Sequence, residues 1–376
     1  MHFLKLKEFL DLFENGKPKT FTQFMDTALV RTSSKLVPIK EYIKDKDVSK
    51  ADLKILFENI VQRNDYLTRF YNLSLKIYEE EMENPMKNNN MDNNKESLYK
   101  NVIRNMHFKS ILQKTKSGIE NVPSYLDVLE DLYLNNIIDY KILTPSSLFY
   151  IKNGRMGSVF SSYYFRASIM NPYLVYSLNH SVLKGTRVFT PTLGWSSYCY
   201  GFLECPHVVE YVGTDVIPSV CKKTAEFAKM ISQKKVDIYC KPSEDLAIST
   251  PFLNKYREHF DVVFFSPPYY KLELYKGGKQ STEKYKTYEE WLEKYWEATI
   301  KLSHNVLQKG GKLCYILSGY GSQNTKEQYD LLTDMNNITK KYFQLKSVQP
   351  MYNKNVHVTS HKETNEKIMI FTPLHK

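Results

Sequence analysis

The sequence predicts two regions of different class. Residues 1–145 read as mainly helical, and residues 146–376 as an α/β domain, a mostly parallel twisted sheet with helices on both faces. Three observations predict this. From about residue 185, short β-rich runs alternate with amphipathic segments, whereas the first 140 residues lack strand-like alternation and carry apolar positions three and four apart. In addition, the 72 residues from Gly194 to Ser266 hold three strand-plus-helix units of about 24 residues, close to the roughly 30 of such units.

In chain order, the first helical signal is Leu53, Leu56, Phe57, Ile60 and Val61, one apolar face entered through Ser49-Lys50-Ala51-Asp52, with the serine as cap and an acid in the first turn. Ser124-Tyr125-Leu126-Asp127 repeats that start. Between them, residues 84–96, beginning Asn84-Pro85-Met86-Lys87 and rich in asparagine, read as a disordered loop. No internal repeat is present, and the helical region carries no chemical motif; docking of a protein partner is the role left open for it.

The strands follow at Arg187-Val188-Phe189, Tyr211-Val212-Gly213, Val236–Tyr239, Val262–Phe265 and Leu313–Leu317, with a last one, Ile368–Phe371, expected to close the sheet edge. After the fourth strand, Thr287-Tyr288-Glu289-Glu290 has the pattern of a capping box. Trp291, Tyr295, Ala298, Leu302 and Val306 then run down one face of a long helix.

Composition bounds the function. A chain of 376 residues, 42% hydrophobic and 14% aromatic, fills a real core. Its five cysteines are odd in number and show neither Cys-x-x-Cys pairs nor zinc-ligand spacing, which argues against a disulfide framework or a structural metal and for a reducing compartment. His357 and His361 lie four apart, but Val358-Thr359-Ser360 between them is a poor helix, so they read as solvated and no metal is expected. No run approaches the roughly 20 apolar residues of a membrane span, and the first residues lack a signal-peptide core. The expected location is intracellular, in the cytoplasm of a bacterial or virus-infected cell or in a nucleus. A net charge of +11 suits a polyanionic partner held in a salt-sensitive way.

The motif that carries chemistry is Ser266-Pro267-Pro268-Tyr269, at the end of the apolar run Asp261–Phe265. A buried strand ending in a polar residue, two prolines and an aromatic sets a rigid carbonyl beside a side-chain oxygen, with a flat ring alongside. Such an arrangement accepts the hydrogens of a planar amine while the ring stacks on the group that bears it. Here the chain resembles the S-adenosylmethionine (SAM)-dependent amino methyltransferases, whose signature is Asp, Asn or Ser, then Pro-Pro, then Tyr, Phe or Trp.

The resemblance covers about residues 160–320 and implies a Rossmann-like methyltransferase fold, SAM as cofactor, and Ser266, Pro267, Pro268 and Tyr269 as the catalytic segment. It extends to the turn after the first strand, Thr190-Pro191-Thr192-Leu193-Gly194-Trp195-Ser196, where the family reads Asp-Pro-x-x-Gly-x-Gly. Pro191 and Gly194 match; Thr190 replaces the acid that orients the cofactor's methionine end, and Ser196 replaces the last glycine. Asp215, 21 residues after Gly194, stands where an acid accepts the ribose hydroxyls. Asp245 or Glu244 stands near the position that meets the adenine amine, and Ser168 lies in the segment that covers the methionine moiety. The basic loop after the motif places Tyr270, Lys276 and Lys279 toward substrate.

The implied reaction is methyl transfer to an exocyclic amino nitrogen of a DNA base, adenine N6 or cytosine N4, flipped out of the stack onto Tyr269. RNA adenine and protein glutamine are alternative acceptors. A catalytically silent binding or scaffold subunit is the alternative of another class.

Overall fold

The computed structural model describes residues 1–83, 85–87, 91–93, 95–117, 123–164, 166–318, 329–351 and 366–374. The chain divides into two compact units, one of residues 2–77 and 104–167, the other of residue 1 with 78–103 and 168–376. This partition differs from a single boundary at residue 145, because side-chain packing crosses that boundary. Phe160 lies against Tyr66 and Tyr125 of the helical unit, at ring distances of 5.0 and 6.0 Å. Conversely, Tyr99 stacks on Tyr173 of the sheet unit at 5.7 Å.

The helical unit shows both expected starts. Ser49 Oγ accepts from Asp52 N at 3.1 Å while Asp52 returns the bond, opening the helix Lys50–Val61, whose Leu53, Leu56 and Ile60 are buried. Ser124 caps Tyr125–Tyr133 in the same way. One feature was not expected: Leu29–Arg31 pairs antiparallel with Leu36–Pro38 and parallel with Ile137–Asp139. Strands of three residues are too short to display alternation in sequence.

Part of the segment expected as a disordered loop is packed. Met86, Asp92 and Asn93 are buried, and Asn93 Oδ1 accepts from Asn171 N at 2.7 Å. Residues 84, 88–90 and 94 lie outside the described residues, as do His357 and His361.

Among the described residues, the main sheet of the other unit has seven strands: β1 (Arg187–Thr190), β2 (Glu210–Thr214), β3 (Lys235–Tyr239), β4 (Phe260–Phe265), β5 (Leu307–Leu317), β6 (Phe343–Pro350) and β7 (Lys367–Pro373). Their spatial order is β6-β7-β5-β4-β1-β2-β3, and β7 runs antiparallel to both its neighbours, β5 and β6. This is the expected mostly parallel, Rossmann-like sheet. β2 is buried at every position and β4 at all but one, as strands covered on both faces must be.

The last strand does not close the edge. β7 is inserted between β5 and β6, which explains its continuous apolar run, and the edge falls to the half-exposed β6. Sequence order reverses direction between β1 and β4, which pair through Val188 with Val262 and Phe189 with Val263. Ligands of doubly wound sheets bind outside the carboxyl ends of the strands at such a reversal.

Candidate active site at the carboxyl edge of β1 and β4

The chain leaves β1 through an unusual turn. Gly194, Trp195 and Ser196 have φ of 51°, 57° and 72°, three successive residues in the left-handed region. Glycine enters it freely, whereas each of the other two costs about 1–2 kcal/mol. A Cβ on Gly194 would lie 2.3 Å from the Tyr198 ring, so this position has neither the conformation nor the room for a side chain.

Tertiary bonds hold the turn in place. Leu193 N donates to Asp215 Oδ2 at 3.1 Å, and the Ser196 hydroxyl lies 2.6 Å from that of Thr224. Ser196 therefore occupies a glycine-type conformation where the resembled family has glycine. Pro191 is buried. Thr190, the last residue of β1, is fully buried, and its hydroxyl is taken up 2.6 Å from that of Tyr211 rather than presented at the edge.

Asp215 follows β2 at the same edge. Its Oδ1 accepts from Val216 N at 2.8 Å and Ile217 N at 3.1 Å, in addition to the bond from Leu193 at Oδ2. A carboxylate has about four acceptor positions, so roughly one remains, enough for a single hydroxyl rather than two. Burial pushes its pKa up, opposed by the three backbone donors.

Glu244 and Asp245 follow β3 and share Lys284, whose Nζ donates to Glu244 Oε1 at 3.3 Å and Asp245 Oδ1 at 3.0 Å. Glu244 is the buried one and Asp245 the exposed one. Ser168 is exposed, and its backbone N–H donates to Glu273 Oε1 at 3.0 Å.

The second turn leaves β4. Ser266 N donates to the Tyr198 hydroxyl at 3.0 Å, and that hydroxyl donates to Ser266 O at 3.3 Å. Tyr198 belongs to α1 (Ser197–Glu204), the helix after the left-handed turn, so one phenol joins the two turns. Ser266 Oγ donates to Ile316 O at 3.2 Å. With its proton committed to that carbonyl, the hydroxyl keeps its lone pairs and behaves as an acceptor, as a carboxylate or amide oxygen would.

Pro267 is buried and Pro268 half-buried. The half-buried Tyr269 is pinned at its far end: its hydroxyl donates to Glu366 Oε1 at 3.1 Å and accepts from Ser318 N at 3.1 Å. Burial pushes the Glu366 carboxyl up, while the Tyr269 bond and the Lys100 charge draw it down.

The loop beyond is divided. Tyr270 is a core residue, 2% exposed, its hydroxyl donating to Lys286 O at 2.9 Å and its ring packed on Tyr288, Trp291 and Tyr329, so it cannot face a substrate. Lys276 and Lys279 are exposed. The glycines between them seat the loop on the residues after Asp215: a Cβ on Gly278 would lie 1.9 Å from Val216 O. Tyr275 donates to the Glu273 carboxylate, and its ring meets Trp195 edge-on at 5.5 Å.

The structure thus brings Gly194, Asp215, Ser266 and Tyr269 to one edge and leaves Thr190 and Tyr270 in the core. Sequence reasoning did not find Tyr198, Ser318 or Glu366. Tyr198 had a faint signal, four residues past Gly194 on a helix; Glu366 had none, since only the insertion of β7 beside β5 brings it to the edge.

No protein-family model matches the chain, and no curated protein matches it. Among solved structures, the N-methyltransferase NodS from Bradyrhizobium japonicum WM9, in complex with S-adenosyl-l-homocysteine, aligns at TM-score 0.36 and 12% identity, over 53% of this chain and 84% of that one. A putative RNA methyltransferase, PH1948 from Pyrococcus horikoshii, aligns at TM-score 0.34 and 10% identity, over 54% and 83%. TrmN from Thermus thermophilus aligns at TM-score 0.35 and 13% identity, over 55% and 49%. Alignments this weak carry no argument about the chain, whose strand order and site residues stand by themselves.

Proposed function

We propose that the protein is a SAM-dependent methyltransferase acting on an exocyclic amino nitrogen of a DNA base, adenine N6 or cytosine N4. The observation that carries this reading is the Ser266 hydroxyl, made an acceptor by its bond to Ile316 O, at the head of a proline-stiffened turn beside the switch point. An amine has hydrogens to give and one lone pair to react. Ser266 Oγ and the Pro267 carbonyl take the hydrogens, which aims the lone pair away from them. Tyr269, with its hydroxyl already bonded at two points, offers a ring whose orientation is set before substrate arrives.

The residues across the switch point fit the cofactor. Asp215 keeps an acceptor position for a ribose hydroxyl, Glu244 stands buried after the third strand, and the left-handed turn at Gly194–Ser196 brings bare backbone to the edge. When bound there, SAM supplies a methyl carbon on a sulfonium: the new N–C bond forms as the S–C bond breaks, sulfur leaves as a neutral thioether, and the nitrogen sheds a proton. The chain's own part is to bind, orient and exclude water. The net charge of +11 holds the nucleic-acid backbone, so affinity for the polymer falls steeply with salt.

The test is transfer of labelled methyl from SAM to unmethylated duplex DNA, single-stranded DNA and RNA in parallel, followed by digestion to nucleosides and mass spectrometry. A methylated deoxyadenosine or deoxycytidine is expected. Label in RNA alone would replace DNA by RNA; no label in any polymer, with SAM bound, would remove nucleic acid as the substrate.

A further inference from the structure

The segment that follows Tyr269 does not leave the edge. Leu272 N donates to Tyr269 O at 3.2 Å, which folds the chain back on itself, and by residue 275 it has reached the other turn, where the Tyr275 ring meets Trp195 at 5.5 Å. Three residues on, the Gly278 backbone lies so close to Val216 O, directly after Asp215, that a Cβ would have no room. Residues 272–278 therefore run past the exits of β4, β1 and β2 in that order, and Glu273 stands between the first two.

Glu273 is half-buried and both its carboxylate oxygens are held. Oε1 accepts from Ser168 N at 3.0 Å in a solvent-exposed bond, and Oε2 accepts from the Tyr275 hydroxyl. A carboxylate has about four acceptor positions, so roughly two stay open.

What Glu273 lacks is a cation. Among the described residues no lysine, arginine or histidine forms an ion pair with it, and the charge felt by its carboxyl is that of Glu366, a second acid. Burial pushes the carboxyl up and Glu366 adds to this, against the bonds from Tyr275 and Ser168. A carboxylate taken partly out of water without a cation costs free energy that a ligand's positive charge would offset. The other acids of this edge already have their partners: Asp215 has three backbone N–H groups, Glu244 and Asp245 share Lys284, and Glu366 has Tyr269 and the Lys100 charge. The end of β1 offers a cation nothing, since the Thr190 hydroxyl is taken up by Tyr211.

We propose that Glu273 is a cofactor-binding residue, its carboxylate receiving the α-ammonium at the methionine end of SAM while Ser168 N and the Tyr275 hydroxyl hold it in place. The inference rests on the SAM reading above and deepens it, making residues 272–278 a wall of the cofactor site.

The experiment compares the full-length wild type with Glu273→Gln, measuring by calorimetry the affinity for S-adenosylhomocysteine, for its analogue without the α-amino group, and for 5′-methylthioadenosine, which lacks the amino-acid end. Glutamine can still accept from Ser168 N, and thermal unfolding without ligand checks that the variant is folded. In the wild type, removing the α-amino group is expected to lower affinity about 10- to 100-fold, as for a hydrogen bond between charged groups. Glu273→Gln is expected to bind S-adenosylhomocysteine about 5- to 30-fold more weakly, to leave methylthioadenosine within about twofold, and to lose most of the discrimination against the deaminated analogue. Equal loss for S-adenosylhomocysteine and methylthioadenosine would make Glu273 a structural support and overturn the assignment; discrimination as strong as in the wild type would overturn it as well. Should Glu273→Gln not fold, Glu273→Asp, which draws the charge back by one methylene, is held to the same selective loss. If the wild type binds none of the three ligands, the cofactor reading fails and takes the assignment with it; if it binds them and the variant shows no selective loss, the assignment alone fails.

Discussion

The turn after β1 and the turn after β4 leave neighbouring parallel strands at the same edge, yet the first changes direction with three left-handed residues and the second with two prolines. Pro267 and Pro268 set their own φ and need little from the rest of the chain. Trp195 and Ser196 hold a disfavoured conformation that must be imposed by bonds from elsewhere, namely Asp215 to Leu193 and Thr224 to Ser196. Tyr198 connects them: its ring leaves no room for a Cβ on Gly194, and its hydroxyl bonds both backbone groups of Ser266. Local stiffness is therefore written in the residues of the second turn, while the first borrows its stiffness from the fold.

This contrast can be broken most severely at the second turn. Ser266→Ala and Tyr269→Ala are each expected to lower methyl transfer by about 100-fold or more, with S-adenosylhomocysteine affinity changed less than about threefold, since the proposed function assigns both residues to the substrate side. Equal loss of binding and transfer would remove that division of labour between the turns. The first turn is fragile in folding instead. Gly194→Ala is expected to destabilise the protein by about 2–4 kcal/mol, combining the left-handed backbone with the clash on Tyr198. Urea unfolding reads this directly, and a change near zero would show that the turn tolerates a side chain.

Tyr198→Phe sharpens the comparison by cutting the link alone. The Ser266 N–H loses its partner, and a stability loss of about 1–3 kcal/mol is expected, with transfer impaired more than cofactor affinity. Glu366→Gln has the smallest expected effect and tests the anchor of Tyr269. Burial raises the Glu366 carboxyl above its ordinary value, so the folded state holds that proton more tightly than the unfolded chain does. Stability contributed by the protonated form is then lost as pH rises from the ordinary carboxylate range through the raised value. Unfolding measured across that window should show a decline in the wild type that is smaller in Glu366→Gln, which can still accept from Tyr269.

Much of the fold was legible because parallel strands buried on both faces are uninterrupted apolar runs, and all six expected strands are present. The sixth was misplaced at the edge, since an apolar run announces burial without saying between which strands. β6 went unread because its half-exposed alternation is weak. The places of Ser266 and Tyr269 just after a buried strand were legible from a local motif, and that of Asp215 just after another from its distance to Gly194. Tyr270 was not, because adjacency in sequence to a site residue says nothing about which way a side chain turns once the chain leaves the strand.

By itself, then, the sequence determined the strands, the caps at Ser49, Ser124 and Thr287, and the stiff turn at Pro267-Pro268, all of which depend on neighbours within a few residues. The tertiary structure alone decided that β7 lies inside the sheet, that Glu366 holds Tyr269, that Tyr198 joins the two turns, and that the Tyr295 hydroxyl, in the π-helical turn Leu292–Glu297, is buried with no hydrogen-bond partner among the described residues. Each of these contacts joins residues distant in the chain or depends on a helix departing from its regular period, and neither spacing nor propensity encodes such pairings.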